Sequence, residues 1–274
     1  MRLAFLAISL GISLSAKEAP QTINVDGLKV GVWLPKDMAG KPVVLFSHGL
    51  HGCSTQSTFL MQALADAGYA VFAPNHRDAS CGGGRATLFQ RAAVPLAEAD
   101  RWTDTTYADR RDDIEQLIEK LPARYPTLDW KRIGLAGHSL GGYTVLGLAG
   151  GWASWKDPRI KAVLALSPYS NPFLAQRTLG NIGVPVMYQG GTNDIGITPS
   201  VQKNRGAYDQ TPAPKYFVNL RAAGHFAWTD LRATYHPTID LYSVAFFDKY
   251  LKGIPFPDSL RSKPSDVADL RIQQ

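Results

Sequence analysis

A chain of 274 residues with 45% hydrophobic, 10% aromatic and 19% charged residues is neither disordered nor collagen-like nor a coiled coil. Its 29 basic and 23 acidic residues leave a formal charge of +6. The basic residues are scattered, however, and the densest run, Asp109-Arg110-Arg111-Asp112-Asp113, interleaves them with acids, which argues against a nucleic-acid surface.

The first segment, MRLAFLAISLGISLSA, is apolar from Leu3 to Leu14 and ends in small residues. It is shorter than the roughly 20 residues a bilayer span needs and reads as a signal peptide over 1–16, cleaved after Ser15 or Ala16. Residues 17–274 then form a single domain, periplasmic or secreted, with no integral membrane association. A buried N-terminal strand or helix is the alternative. Leu28 to Leu34 alternates and stops at Pro35, as a half-buried antiparallel strand does. Residues 43–46, 69–73, 133–137, 160–166 and 184–189 are short, unbroken apolar runs, the pattern of strands buried on both faces. Helical patterns lie between or after them at 55–67, 109–121, 140–149, 200–208 and 239–251. The alternation predicts an α/β fold with a mostly parallel central sheet and helices on both faces. The stretch from His76 to Tyr107 is long for a βα connection and reads as functional or as a cap. The tail after Lys252 carries three prolines and reads as a surface wrap.

The chemistry centres on Gly137-His138-Ser139-Leu140-Gly141, a G-x-S-x-G run between a strand and a small-residue helix. That context puts a serine on a tight turn above the sheet, with glycines where a side chain would obstruct the turn. A serine hydroxyl needs a histidine base and a carboxylate to orient it. Downstream lie His225, in a loop after the strand-like run KYFVNL, and His236, at the start of the last helical pattern; His225 is favoured. Asp194, in the loop after VPVMYQ, is favoured as the acid over Asp157 and Asp209. The backbone N–H of Leu140 and that of Leu50, in the loop SHGLHGC, are the expected oxyanion donors. Phe89, Trp102, Tyr169, Phe173 and Trp228 are the aromatics expected to wall an acyl pocket.

The segments FSHGLHG, GYAVFAPNHRD, RIGLAGHSLGGYTVLGLAG, QGGTNDIGITP and AAGHF resemble the platelet-activating-factor acetylhydrolase and dienelactone-hydrolase-like branch of the α/β-hydrolases. The likeness runs from about Leu28 to Leu251, and the acid and histidine neighbourhoods are also similar to cutinases and polyester hydrolases. It implies an α/β-hydrolase fold, a triad at Ser139, Asp194 and His225, and an oxyanion amide at Leu50. The implied activity is serine-dependent hydrolysis of a small carboxylic ester through an acyl-enzyme, with no cofactor and no metal. Dienelactone hydrolases proper use cysteine, so serine argues against that activity. The alternatives are an acetylhydrolase-type phospholipase, a polyester hydrolase, or a catalytically silent binding protein on the same fold. The likeness makes His76-Arg77-Asp78 a brace at a strand end rather than a kinase motif. Gly82-Gly83-Gly84 lacks the rest of a phosphate loop. His48, His51, Cys53 and Cys81 fit no standard zinc spacing. Instead Cys53 and Cys81, each a few residues past a strand of one parallel sheet, are expected to pair as a disulfide in an exported chain.

Overall fold

The computed structural model describes residues 20–81 and 95–274. The proposed signal segment, the glycine run at 82–84 and Phe89 lie outside the described residues. Within them, the strands β1 (Gln21–Val25), β2 (Leu28–Trp33), β3 (Pro42–Ser47), β4 (Ala70–Pro74), β5 (Asp129–His138), β6 (Ile160–Leu166), β7 (Val186–Gly191), β8 (Lys215–Leu220) and β9 (Val267–Gln273) form one sheet. Their order is β1-β2-β4-β3-β5-β6-β7-β8-β9. The run from β4 to β8 is parallel, whereas β1, β2 and β9 pair antiparallel.

The helices are α1 (Thr58–Asp66), α2 (Ala108–Arg124), α3 (Leu140–Leu146), α4 (Asn171–Gln176), α5 (Thr198–Gln202), α6 (Ala207–Gln210) and α7 (His236–Phe247). They cover both faces. In β3, Val43 and Leu45 face the apolar layer that holds α2 and α3, while Val44 and Phe46 face the layer of α1 and α7. A strand buried on both sides has no polar face to present, which is why these runs do not alternate in sequence.

Two elements depart from the sequence reading. The tail is more than a wrap: Val267–Gln273 adds an antiparallel edge strand to β8. Its charged Asp269 and Arg271 sit where an edge strand keeps one side open, so it lacks an apolar signature. The single helix expected over 200–208 is two short ones, because the backbone extends at Lys203 and turns at Gly206, where a Cβ would come within 2.7 Å of the Lys203 carbonyl.

Parallel strands deliver their following loops to one edge of the sheet. The loops after β3, β4, β5, β6, β7 and β8 therefore meet, and a disulfide joins Cys53 of the loop after β3 to Cys81 of the loop after β4, 28 residues apart. The same two loops share hydrogen bonds from Ser54 N to Asn75 Oδ1 (2.7 Å) and from Ser80 Oγ to the His51 carbonyl (2.6 Å). Replacing both cysteines with serine should cost about 3 kcal/mol through loop entropy in the unfolded chain. Urea unfolding reads this as a lower midpoint; an unchanged midpoint would show that the hydrogen bonds alone hold the loops together.

Candidate active site

Ser139 joins β5 to α3 at φ 56°, ψ −114°, a backbone conformation that L-residues adopt only under strain. Its flanking glycines are obligatory. A Cβ at Gly137 would lie 2.2 Å from the Gly141 carbonyl oxygen, and one at Gly141 would lie 1.9 Å from that of Ser47. The turn is anchored by hydrogen bonds from Ser139 N to the Leu166 carbonyl (3.0 Å) and from Tyr169 N to the Ser139 carbonyl (2.9 Å).

His225 arrives from the loop after β8 with Nε2 3.0 Å from Ser139 Oγ and Nδ1 3.1 Å from Asp194 Oδ1. The Asp194 side chain is buried, and its Oδ2 accepts hydrogen bonds from Ser167 Oγ (2.6 Å) and Thr198 Oγ1 (2.9 Å). Because Ser167 spends its one proton on Asp194, its oxygen, 2.8 Å from His225 Nδ1, must accept there. Nδ1 therefore carries the ring proton, and the Nε2 lone pair faces Ser139. The competing residues lie elsewhere. Asp157 pairs with Arg159 at 2.6 Å, Asp209 accepts from Arg205 N at 2.8 Å, and His236 stacks on Phe59.

His138 lies under this array. Burial, reinforced by the neighbouring His225, pushes its pKa down to about 3, so it is neutral at ordinary pH. Its Nε2–H donates to the His225 carbonyl (2.9 Å), and its Nδ1 accepts from Gln56 Nε2 (2.9 Å). Gln56 Oε1 in turn accepts from Gly49 N (3.0 Å). In that loop His51 N donates to Asp78 Oδ2 and Gly52 N to the Gly49 carbonyl. Between Gly49 and Gly52 this leaves the Leu50 N–H without an acceptor among the described residues. Leu140, whose N–H opens α3, follows Ser139 directly.

A buried cation holds the loop from behind. Arg110 has no exposed surface; its guanidinium donates to the carbonyls of His48 (2.7 Å) and Gly49 (3.1 Å) and pairs with Asp78 (2.7 Å). Burial alone would raise the Asp78 carboxyl, but Arg110 outweighs it and holds it well below the usual carboxylate range. Next to it, His76 bridges Ser47 Oγ (2.8 Å) and Asp113 Oδ2 (2.7 Å). Ser47 and His76 are fully buried, so this second Ser–His–Asp array offers no face to a substrate.

Burial pushes the Asp113 pKa up to about 7 from an ordinary 3.8. For a carboxyl raised on folding, the unfolded chain loses its proton first, so this group's contribution to stability falls as pH rises between those values and is flat above them. Asp113→Asn should therefore gain stability relative to the parent between about pH 4 and pH 7, followed by urea midpoints. A difference independent of pH would refute this.

The expected pocket aromatics turn out otherwise. Trp102, Phe173 and Trp228 are fully buried and Tyr169 nearly so. Trp102 packs 5.0 Å from both Tyr143 and Tyr169, Phe173 stacks on Tyr143, and Trp228 donates to Gln189 Oε1 (3.0 Å). They support the site from within and present no open wall to a ligand, because each ring has found its full complement of protein neighbours. Phe226 and Ile195, next to His225 and Asp194, are the exposed apolar side chains there. A groove of about 370 Å³ borders His225 and is lined by Asn193, Phe226, Arg232 and Tyr235 among others.

The sequence reading missed Ser167, Gln56 and Arg110. Arg110 had a signal: it continues the helical spacing of Ile114, Leu117, Ile118 and Leu121, all buried. Ser167 had a topological one: Leu166 pairs with His138 on one side and Gln189 on the other, so the next residue comes level with Ser139.

A mostly parallel sheet, a serine on a strained turn between its central strand and a helix, and a histidine and carboxylate supplied by later loops define an α/β-hydrolase. The chain belongs to the serine aminopeptidase S33 family of hydrolases, whose model matches residues 39–187, more than half its length. The match includes the Leu50 loop and Ser139 and ends before Asp194 and His225. A search of curated proteins finds no match. Among the described residues no helix is long and apolar enough to cross a membrane.

Proposed function

We propose that the protein is a serine carboxylesterase acting on small esters. The observation that carries this reading is the pair of distances joining His225 to Ser139 and Asp194, 3.0 and 3.1 Å. His225 Nε2 takes the Ser139 proton as Oγ attacks the acyl carbon. The tetrahedral oxyanion is received by the amides of Leu50 and Leu140, and His225 returns the proton to the departing alcohol. Water, activated by the same histidine, then releases the acid from Ser139. Asp194 fixes the imidazole tautomer and stabilises the imidazolium.

The ester substrate is supported by the likeness to the acetylhydrolase branch, while the family model points to aminopeptidases; amide and ester hydrolysis share these steps. A direct comparison of p-nitrophenyl butyrate with alanine p-nitroanilide tests the choice, and faster turnover of the anilide would reject the esterase reading. The ring layer of Trp102, Tyr143, Tyr169 and Phe173 supports a shallow acyl site, since each added methylene gains about 0.8 kcal/mol only where it is buried. Activity should peak at acyl chains of about two to six carbons and fall by twelve. An optimum at twelve or longer would mean an open groove. The disulfide supports export to an oxidising compartment, periplasmic or extracellular.

A further inference from the structure

Ser167 lies one residue beyond β6, at φ 42°, with no exposed surface. A non-glycine residue in the left-handed region needs its surroundings to hold it there. Its N–H donates to the Gln189 carbonyl (2.7 Å), which fixes the backbone beside β7. The hydroxyl then stands between the two groups that make up the rear of the site, 2.6 Å from Asp194 Oδ2 and 2.8 Å from His225 Nδ1. It is closer to Nδ1 than Asp194 Oδ1 is, at 3.1 Å.

We infer that Ser167 is a positioning residue that shares the Nδ1–H of His225 with Asp194. The inference rests on the reading of Ser139, Asp194 and His225 as a triad. The hydroxyl donates to the carboxylate, so it cannot donate to the ring and presents only its lone pairs there. A flipped imidazole, or one protonated on Nε2 alone, would leave the Ser167 oxygen and Asp194 Oδ1 without their donor in a buried pocket, which is costly. Asp194 meets one edge of the N–H and Ser167 the other, so the ring is held from two strands, β6 and β7. As His225 gains a proton in the reaction, the same oxygen stabilises the imidazolium by a charge-assisted bond.

The test uses the full chain with Ser167→Ala, read by kinetics on p-nitrophenyl butyrate and by the far-downfield proton resonance of His225 Nδ1–H, assigned by its loss in His225→Ala. Removing one hydrogen bond to a charged group predicts about a tenfold fall in kcat with KM within about twofold, and a displaced resonance. An unmoved resonance, or kcat within twofold of the parent, would overturn the inference. Should Ser167→Ala fail to fold, the exchange Ser167→Asp with Asp194→Ser keeps one buried carboxylate and one hydroxyl. It should turn over at least about a hundredfold faster than Asp194→Ser alone, because the acid now reaches Nδ1 from β6; equal rates would overturn the inference. Full activity in Ser139→Ala would instead reject the triad itself, so the two failures are distinct.

Discussion

Ser139→Ala should lower kcat by about six orders of magnitude while leaving the fold intact. The residue has no structural duty that alanine fails to meet: its backbone bonds to Leu166 and Tyr169 survive, and alanine has the same Cβ at the strained φ. What disappears is the hydroxyl that, among the described residues, bonds His225 Nε2. A residue of catalysis over the uncatalysed reaction should persist, about three to four orders of magnitude, because the Leu50 and Leu140 amides remain. Steady-state kinetics with an unchanged urea midpoint would establish this, whereas a tenfold loss would assign the nucleophile elsewhere.

Arg110→Met is expected to be the most destabilising single change near the site, costing about 3 to 5 kcal/mol. The guanidinium is fully buried and satisfies Asp78 together with the carbonyls of His48 and Gly49. Its removal leaves the half-buried Asp78 carboxylate without its counter-ion and the buried His48 carbonyl without its donor, and takes one donor from the Gly49 carbonyl. Pairing the change with Asp78→Asn removes the orphaned charge and should recover a large part of the loss, since breaking a buried pair costs more than deleting both partners. The double variant should nonetheless hydrolyse esters slowly, because the Leu50 loop has lost the clamp on its carbonyls. Urea midpoints of the two variants decide the first point, and near-parental kcat in the double variant would refute the second.

The sequence was most legible where burial is symmetrical and the chemistry is local. Ile160–Leu166 reads as a strand residue for residue, because every side chain but Lys161 is buried. Ser139 is legible for a different reason: its turn demands glycines two positions away on each side, and their Cβ clashes show why. Elements with one open side left weaker marks, as β9 shows. Composition alone gives no sign of burial in the charged run at 109–113, yet Arg110 there is wholly enclosed, with its guanidinium on β3, the Leu50 loop and Asp78. The aromatics misled by chemistry, because a ring beside a site serves a core as readily as a pocket, and Trp102 and Trp228 serve the core. Ser167 was legible only through topology: the strand pairing of β6 brings it level with Ser139, but its role depends on the loops after β7 and β8 delivering Asp194 and His225 to its hydroxyl.

If Ser139 is an activated nucleophile, an electrophile that reacts with activated serines will label it covalently. The purified protein would be treated with a fluorophosphonate and its peptides mapped by mass spectrometry. One adduct is expected, on Ser139, formed rapidly in the parent, much more slowly in His225→Ala and Asp194→Asn, and not at all in Ser139→Ala. A folded parent that takes up no label, or takes it on another residue, would show that Ser139 is not the nucleophile.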